Sequence, residues 1–166
     1  ERTFGGGGSN GPYRGAKFSL FEGGIRVPAI ISWPGHIAEG EVREQMATNC
    51  DWFPTITELC EIPDAEHHID GKSLLPLLKS ANAPSQYDLF HWQSGRSQWG
   101  RQWAVRQGNW KLIGNPRDTS DEGALTESDQ LFLVNLAEDV SEMKNLAAEH
   151  PDRVKKMKQL HDNWIA

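Results

Sequence analysis

Apolar residues fall in short, separated runs through the first half of the chain and in closely spaced β-prone runs through the second. From Pro28, the run Ala29-Ile30-Ile31-Ser32-Trp33 is apolar and β-branched, and Pro34-Gly35 closes it. That predicts a strand buried on both faces, of the parallel-sheet kind, ended by a turn. Asp51 to Cys60 predicts a helix. Asp51 can cap it, Pro54 is tolerated in its first turn, and Phe53, Ile56, Leu59 and Cys60 share one face. Asp70-Gly71-Lys72 reads as a turn, after which Ser73 opens a short apolar helix through Leu78.

Beyond Ala83-Pro84 the texture changes. Leu89–Trp92, Gln102–Arg106, Trp110–Ile113 and Gln130–Val134 are four short β-prone runs, and Gln107-Gly108-Asn109 is a compact hairpin connection between the middle two. Together they predict a small antiparallel sheet. Residues 115–129 are polar and show no period. The closing stretch, Pro151 to Ile165, places Val154, Met157, Leu160 and Trp164 at helical spacing, with Pro151 suited to the first helical position and Asp152 to the positive end of the dipole. An amphipathic helix lying against the small sheet follows. Gly5 to Gly8 with Ser9-Asn10-Gly11-Pro12 is a loop, because glycine loses most entropy when ordered.

The 166 residues suit one domain of ordinary size, and the net charge of −6 argues against a nucleic-acid binder relying on a basic surface. The apolar run Val27–Pro34 is far shorter than the ~20 residues of a membrane span. No leader pattern opens the chain, so an export signal is expected to be absent or removed. Cys50 and Cys60 lie ten residues apart along one expected helix, about 15 Å of rise, too far for a disulfide. They are expected to be free thiols packed in the core. Charge is uneven: Arg2, Arg14, Lys17 and Arg26 mark the front, and Arg96, Arg101, Arg106, Lys111 and Arg117 stand against Asp88 alone in residues 84–117. Two such cationic stretches could converge on an anionic ligand or lie scattered on a solvated surface.

Several chemical signals fail. Around Lys17 the glycines suggest a phosphate loop, but Ala16 precedes the lysine and Phe18 follows it where Gly and Ser/Thr are needed. His67 and His68 are adjacent and diverge on either kind of backbone, which suits surface histidines. No Gly-x-Ser-x-Gly elbow is present, and the cysteines have no adjacent base.

One stretch is specific. Gly11-Pro12-Tyr13-Arg14-Gly15-Ala16-Lys17-Phe18-Ser19-Leu20-Phe21-Glu22-Gly23-Gly24-Ile25-Arg26-Val27-Pro28, continuing to Trp33-Pro34-Gly35, closely resembles the second signature region of the sulfatases, hydrolases of sulfuric esters in the alkaline-phosphatase superfamily. Later stretches resemble that family in the same order: Asp51–Thr55, Asp70–Leu74, Ala104-Val105-Arg106 with Trp110–Ile113, and Glu142 with Asn145-Leu146-Ala147. The resemblance implies an α/β (α+β) fold in which residues 1–83 close the large sheet of a sulfatase catalytic domain. Residues 84–166 would form a small antiparallel subdomain with its terminal helix. It also implies that Lys17 contacts the sulfate ester, where an ammonium stabilises charge on the transferring group. Glu22, Arg14 and Arg26 read as scaffold, with Glu22 pairing to Arg26 or Arg14.

The family's nucleophile, a formylglycine made from Cys or Ser in C/S-x-P/A-x-R, has no counterpart here, nor does the Asp-Asn-Gly part of its calcium site. The chain therefore resembles the C-terminal third of a sulfatase. Calcium and formylglycine are expected in the whole enzyme, and the piece alone is expected to be inactive. Its expected partners are a sulfated small molecule or glycan and the missing N-terminal portion or another covering chain, with no nucleic acid and no membrane. The family implies a periplasmic or extracellular location. For the pocket rim, His91, Trp92, Arg96 and Trp103 are candidates, since aromatics stack on sugar faces and arginine forks on sulfate. A carbohydrate-binding module without catalysis and a phosphodiester or phosphonate hydrolase are the alternative readings.

Overall fold

The computed structural model describes residues 8–63, 68–97, 100–120 and 125–166. The chain divides into two compact units, one made of the residues up to Pro28 with Leu89–Ala166, the other of Ala29–Asp88.

The first unit is built on four antiparallel strands, β1 (Leu89–Ser97), β2 (Gly100–Gln107), β3 (Trp110–Gly114) and β4 (Leu131–Asn135), in the order β1-β2-β3-β4. Gln107 pairs with Trp110, so β2 and β3 are joined by a two-residue turn in which Gly108 takes φ 59°. That left-handed conformation is why glycine stands there. Register then assigns the faces, because side chains alternate across a strand. Val105 lies opposite Leu112 and Leu112 opposite Leu133, while Ala104, Ile113 and Phe132 line up on the other face. Both faces are covered. Met157, Val154 and Leu160 of α4 (Pro151–Ile165) pack on the Val105 face. Leu20, Phe21 and Ile25 pack on the Ala104 face. Phe21 meets Phe132 edge to face at 5.2 Å. Trp103 lies flat over Gly114, where a Cβ would sit 2.0 Å from the indole.

The segment covering the Ala104 face ends in a single helical turn, α1 (Glu22–Ile25). Gly23 and Gly24 are required here by close approach. A Cβ on Gly23 would lie 2.3 Å from the Gly15 carbonyl oxygen, and one on Gly24 would lie 2.2 Å from that of Ser19. Backbone therefore packs directly on backbone.

The second unit holds a 3-10 turn (Asn49–Asp51) running into α2 (Trp52–Leu59), and then α3 (Leu75–Lys79). Asp51 is fully buried and organises it. Its carboxylate accepts from the Thr48 N–H at 2.7 Å, the Lys72 N–H at 2.9 Å and the Tyr87 hydroxyl. Thr55 donates to the Asp51 carbonyl and accepts from the Leu74 N–H. Gly71 backs against the Cys50 carbonyl, with no room for a Cβ.

Three expectations are corrected. Ala29–Trp33 forms no strand, and Ile30 is 94% exposed. A β-prone run becomes a strand only where a neighbour takes its hydrogen bonds, and no described residue does so. The helix after Asp51 turns Thr55 inward rather than its apolar stripe, leaving Phe53 and Ile56 exposed. Cys50 and Cys60 are free, as expected, but exposed rather than packed in the core, because they lie outside the side that Thr55 buries. The small antiparallel sheet and its C-terminal helix form where the sequence places them.

Candidate functional site

The loop from Asn10 to Arg26 carries the sulfatase-like stretch, and hydrogen bonds hold it from within and without. Asn10 donates to the Gly15 carbonyl at 2.7 Å. The N–H groups of Gly15 and Ala16 donate to the hydroxyls of Ser120 and Thr119 at 3.0 and 2.9 Å. Ser19 donates to the Arg117 carbonyl at 2.7 Å. Between these anchors the Ser19 N–H returns to the Ala16 carbonyl, which closes a turn with Lys17 and Phe18 at its tip. Phe18 takes φ 74°. That region suits glycine, and a residue of this bulk held there costs about 1–3 kcal/mol. Gln102 on β2 secures it by donating to the Phe18 carbonyl at 3.0 Å.

Lys17 is exposed, its amine 5.1 Å from the ring of its own neighbour Phe18. No carboxylate among the described residues pairs with it. The other cations of the region behave differently. Arg14 is 1% exposed, pairs with Asp118 at 2.6 Å, donates to the Glu142 carbonyl and stacks over Phe21. Lys111, 0% exposed, lies between Glu22 at 2.8 Å and Glu142 at 3.0 Å. Glu22 also holds Arg26 at 2.8 Å and faces Arg106 at 3.8 Å.

The two carboxylates sharing Lys111 respond oppositely. Burial alone would push both up. For Glu22, Lys111 with Arg106 and Arg26 more than offsets burial and holds the carboxyl below its ordinary value. For Glu142, burial wins over Lys111 and the Glu22 N–H, and the Glu22 charge adds to it, so the carboxyl stays raised. Asp118 is likewise opposed by burial and lowered by Ser120 and Arg14. Four members of the two cationic stretches, Arg14, Arg26, Arg106 and Lys111, thus face internal carboxylates. Glu22 pairs with Arg26, as one of the two expectations had it, and Arg14 pairs with Asp118 instead.

The remaining candidates are spread over both faces of the sheet. His91 stacks on Trp164 at 4.9 Å, and Trp103 on His161 at 4.0 Å, so both are engaged with α4. Burial lowers the basicity of His91 and His161, each further affected by a neighbouring charge. Trp92 lies on the opposite face, against Phe90 and the cluster around Phe21. Arg96 is on β1, but its side chain lies outside the described residues, as does His67 altogether. His68 is exposed, 3.4 Å from Asp70. Among the described residues no three His, Cys, Asp or Glu side chains are grouped as a metal ion needs.

In the sequence Lys111 stands out only within a cationic stretch and Glu142 only within a sulfatase-like block, neither with a role at the site. A signal existed for the lysine: it stands inside a run whose neighbours Trp110, Leu112 and Ile113 demand burial, and a charge buried there needs a partner. Nothing local names the partner, since Glu22 is 89 residues away.

Residues 16–165 match the family described as N-sulphoglucosamine sulphohydrolase, C-terminal. Human arylsulfatase A is 32% identical over 93% of this chain and 33% of its own length. Rat steryl-sulfatase is 46% identical over 52% of this chain and 15% of its own length. The chain thus spans a third or less of these curated relatives. Among solved structures, Ps i-CgsB in complex with k-i-k-neocarrahexaose superposes with a TM-score of 0.77 at 23% identity, covering 95% of this chain and 33% of that one. A structure described under the metabolism of multiple glycosaminoglycans by Bacteroides thetaiotaomicron superposes with a TM-score of 0.66 at 25% identity, covering 92% of this chain and 32% of that one. Sequence blocks, fold and relatives agree, and the chain belongs to the N-sulphoglucosamine sulphohydrolase C-terminal family as a sulfatase C-terminal domain.

Proposed function

We propose that this domain completes the active site of a sulfatase that hydrolyses sulfate esters of carbohydrates or aryl alcohols, with Lys17 contacting the sulfate. One contrast carries the reading. Arg14, Arg26, Arg106 and Lys111 all face carboxylates, whereas the Lys17 amine is exposed with none among the described residues, at the tip of a firmly anchored turn. A protein does not ordinarily hold a bulky residue such as Phe18 at positive φ without a reason at that site. An ammonium presented in this way stabilises negative charge as it shifts on the transferring sulfuryl group.

The formylglycine and calcium would come from the part of the enzyme N-terminal to this domain, and the 166 residues alone would be inactive. Exposed Ile30, Val42, Phe53, Ile56 and Ile62 support a covering partner for the second unit, since a monomer seldom leaves so many large apolar side chains in water. Trp92 and Arg96 remain the rim candidates on β1, while His91 and Trp103 would act there only by leaving their stacks. A periplasmic or extracellular setting is part of the same proposal. Among the described residues no helix is long and apolar enough to cross a membrane.

The test is Lys17→Ala in the whole sulfatase with 4-nitrophenyl sulfate as substrate. The expected result is a fall in kcat of about 10²–10³-fold, the cost of removing one charge-stabilising donor. A kcat within about twofold of the parent would refute the assignment of Lys17.

A further inference from the structure

We propose that Glu142 is the positioning residue of the Lys17 turn, clamping both ends of the loop that carries it. The proposal rests on the reading of Lys17 given above. Three groups of this one residue are used. Its backbone carbonyl accepts from Arg14 Nη1 at 2.9 Å, at the start of the loop. Its Oε2 accepts from the Glu22 N–H, at the loop's end. Its Oε1 pairs at 3.0 Å with Lys111, whose strand β3 is hydrogen-bonded on both sides, to β2 and β4. The loop is then closed on itself by the Gly23 N–H donating to the Arg14 carbonyl at 2.7 Å.

Glu142 reaches both ends only because it adopts φ 53°, a strained backbone conformation for a residue with a side chain. It is fully buried, and its N–H is turned back to the Asp139 carbonyl. Between the clamped ends the chain has little freedom, so the Ala16–Ser19 turn and the Lys17 stem are fixed with them. Holding a reacting contact within a fraction of an ångström requires supporting groups of this kind. The remaining groups facing Glu142 are Glu22, which shares its lysine, and Arg14, which the loop itself supplies.

Hydrogen exchange on the 166-residue chain tests the clamp without turnover. In Glu142→Ala the amides of Gly23, Gly24 and Ser19 should exchange at least about tenfold faster, and in Glu142→Gln, which disturbs the Lys111 pair less, those of the β2–β3 hairpin should change by less than about twofold. Glu142→Gln keeps an acceptor and the side-chain shape, so it should rescue part of the effect. If loop and hairpin exchange rise together in Glu142→Gln, or the loop is unchanged in both variants, the proposal fails. In the whole sulfatase with 4-nitrophenyl sulfate, Glu142→Gln should lower kcat about tenfold with KM altered less, as expected for a misplaced group. An unchanged kcat overturns positioning. Lys17→Ala separates the two claims: it should leave loop exchange unaltered and lower kcat by about 10²–10³-fold. Intact turnover in Lys17→Ala with a loosened loop in Glu142→Ala would sink the assignment of Lys17 and leave the clamp standing.

Discussion

Replacing Lys111 with methionine is the sharpest test of how the first unit is held together. The side chain is 0% exposed, and its amine lies 2.8 Å from Glu22 and 3.0 Å from Glu142. Methionine fills the space of the stem but leaves two carboxylates buried. Glu22 retains Arg26 and the more distant Arg106, whereas Glu142 keeps chiefly the Glu22 N–H. Removing one partner of a buried ion pair costs about 3–5 kcal/mol, mostly from the charge left behind. The pH dependence follows. Without Lys111 the Glu142 carboxyl, already raised by burial above its ordinary 4.5, should rise further, so the folded variant binds a proton that the unfolded chain does not. The stability linked to a raised carboxyl is full below 4.5 and is lost as pH rises through the folded value. The defect should therefore be large at pH 7 and smaller at pH 5. Urea unfolding followed by tryptophan fluorescence reads mainly this unit, because Trp92, Trp103, Trp110 and Trp164 lie in it, against Trp33 and Trp52 in the other. Replacing Glu142 together with Lys111 by apolar residues should recover part of the loss. A defect below about 1 kcal/mol at pH 7, or one equal at both pH values, would refute the argument.

Gly24→Ala should destabilise the first unit by about 1–3 kcal/mol and displace the Lys17 turn, since the new Cβ would meet the carbonyl oxygens of Ser19 and Ala16 at 2.2 and 2.6 Å. Gly8→Ala, with nothing within 4 Å, is the control, and equal melting curves for the two would count against the close packing. Folded His91 and His161 are harder to protonate than the ordinary 6.5, chiefly through burial. Stability they contribute is full above 6.5 and declines as pH falls through their folded values, so a replacement His161→Phe should flatten the acid limb of a stability–pH profile. Tyr87 should titrate well above the ordinary tyrosine value of 10.0, because burial and then its bond to Asp51 oppose the phenolate. Asp51→Asn should bring the phenolate absorbance back toward that value, and an unmoved titration would exclude the contact.

Local chemistry determined the elements whose neighbours in sequence suffice to build them. The four β-prone runs, the turn at Gly108 and the helix from Pro151 to Ile165 form where they are expected. In each, period, turn residue and cap agree, and each element finds its partner within the same stretch of chain. For Gly11 to Pro28 it is the resemblance to the sulfatases, not local chemistry, that singles out Lys17. Ala29–Trp33 shows the opposite case. Its residues favour a strand, but no described residue beside it takes up the hydrogen bonds, and composition alone does not supply a partner.

Tertiary structure alone decided which charges meet. Glu22, Lys111 and Glu142 are far apart in sequence, and only the stacking of the loop on the sheet brings them together in a dry interior. Charge pairing follows distance and dielectric, not order along the chain, so no spacing rule assigns Arg14 to Asp118. The same holds for the strained backbone of Phe18 and Glu142. Neither residue type favours that conformation, and each is forced into it by hydrogen bonds from segments that meet only when the chain has folded.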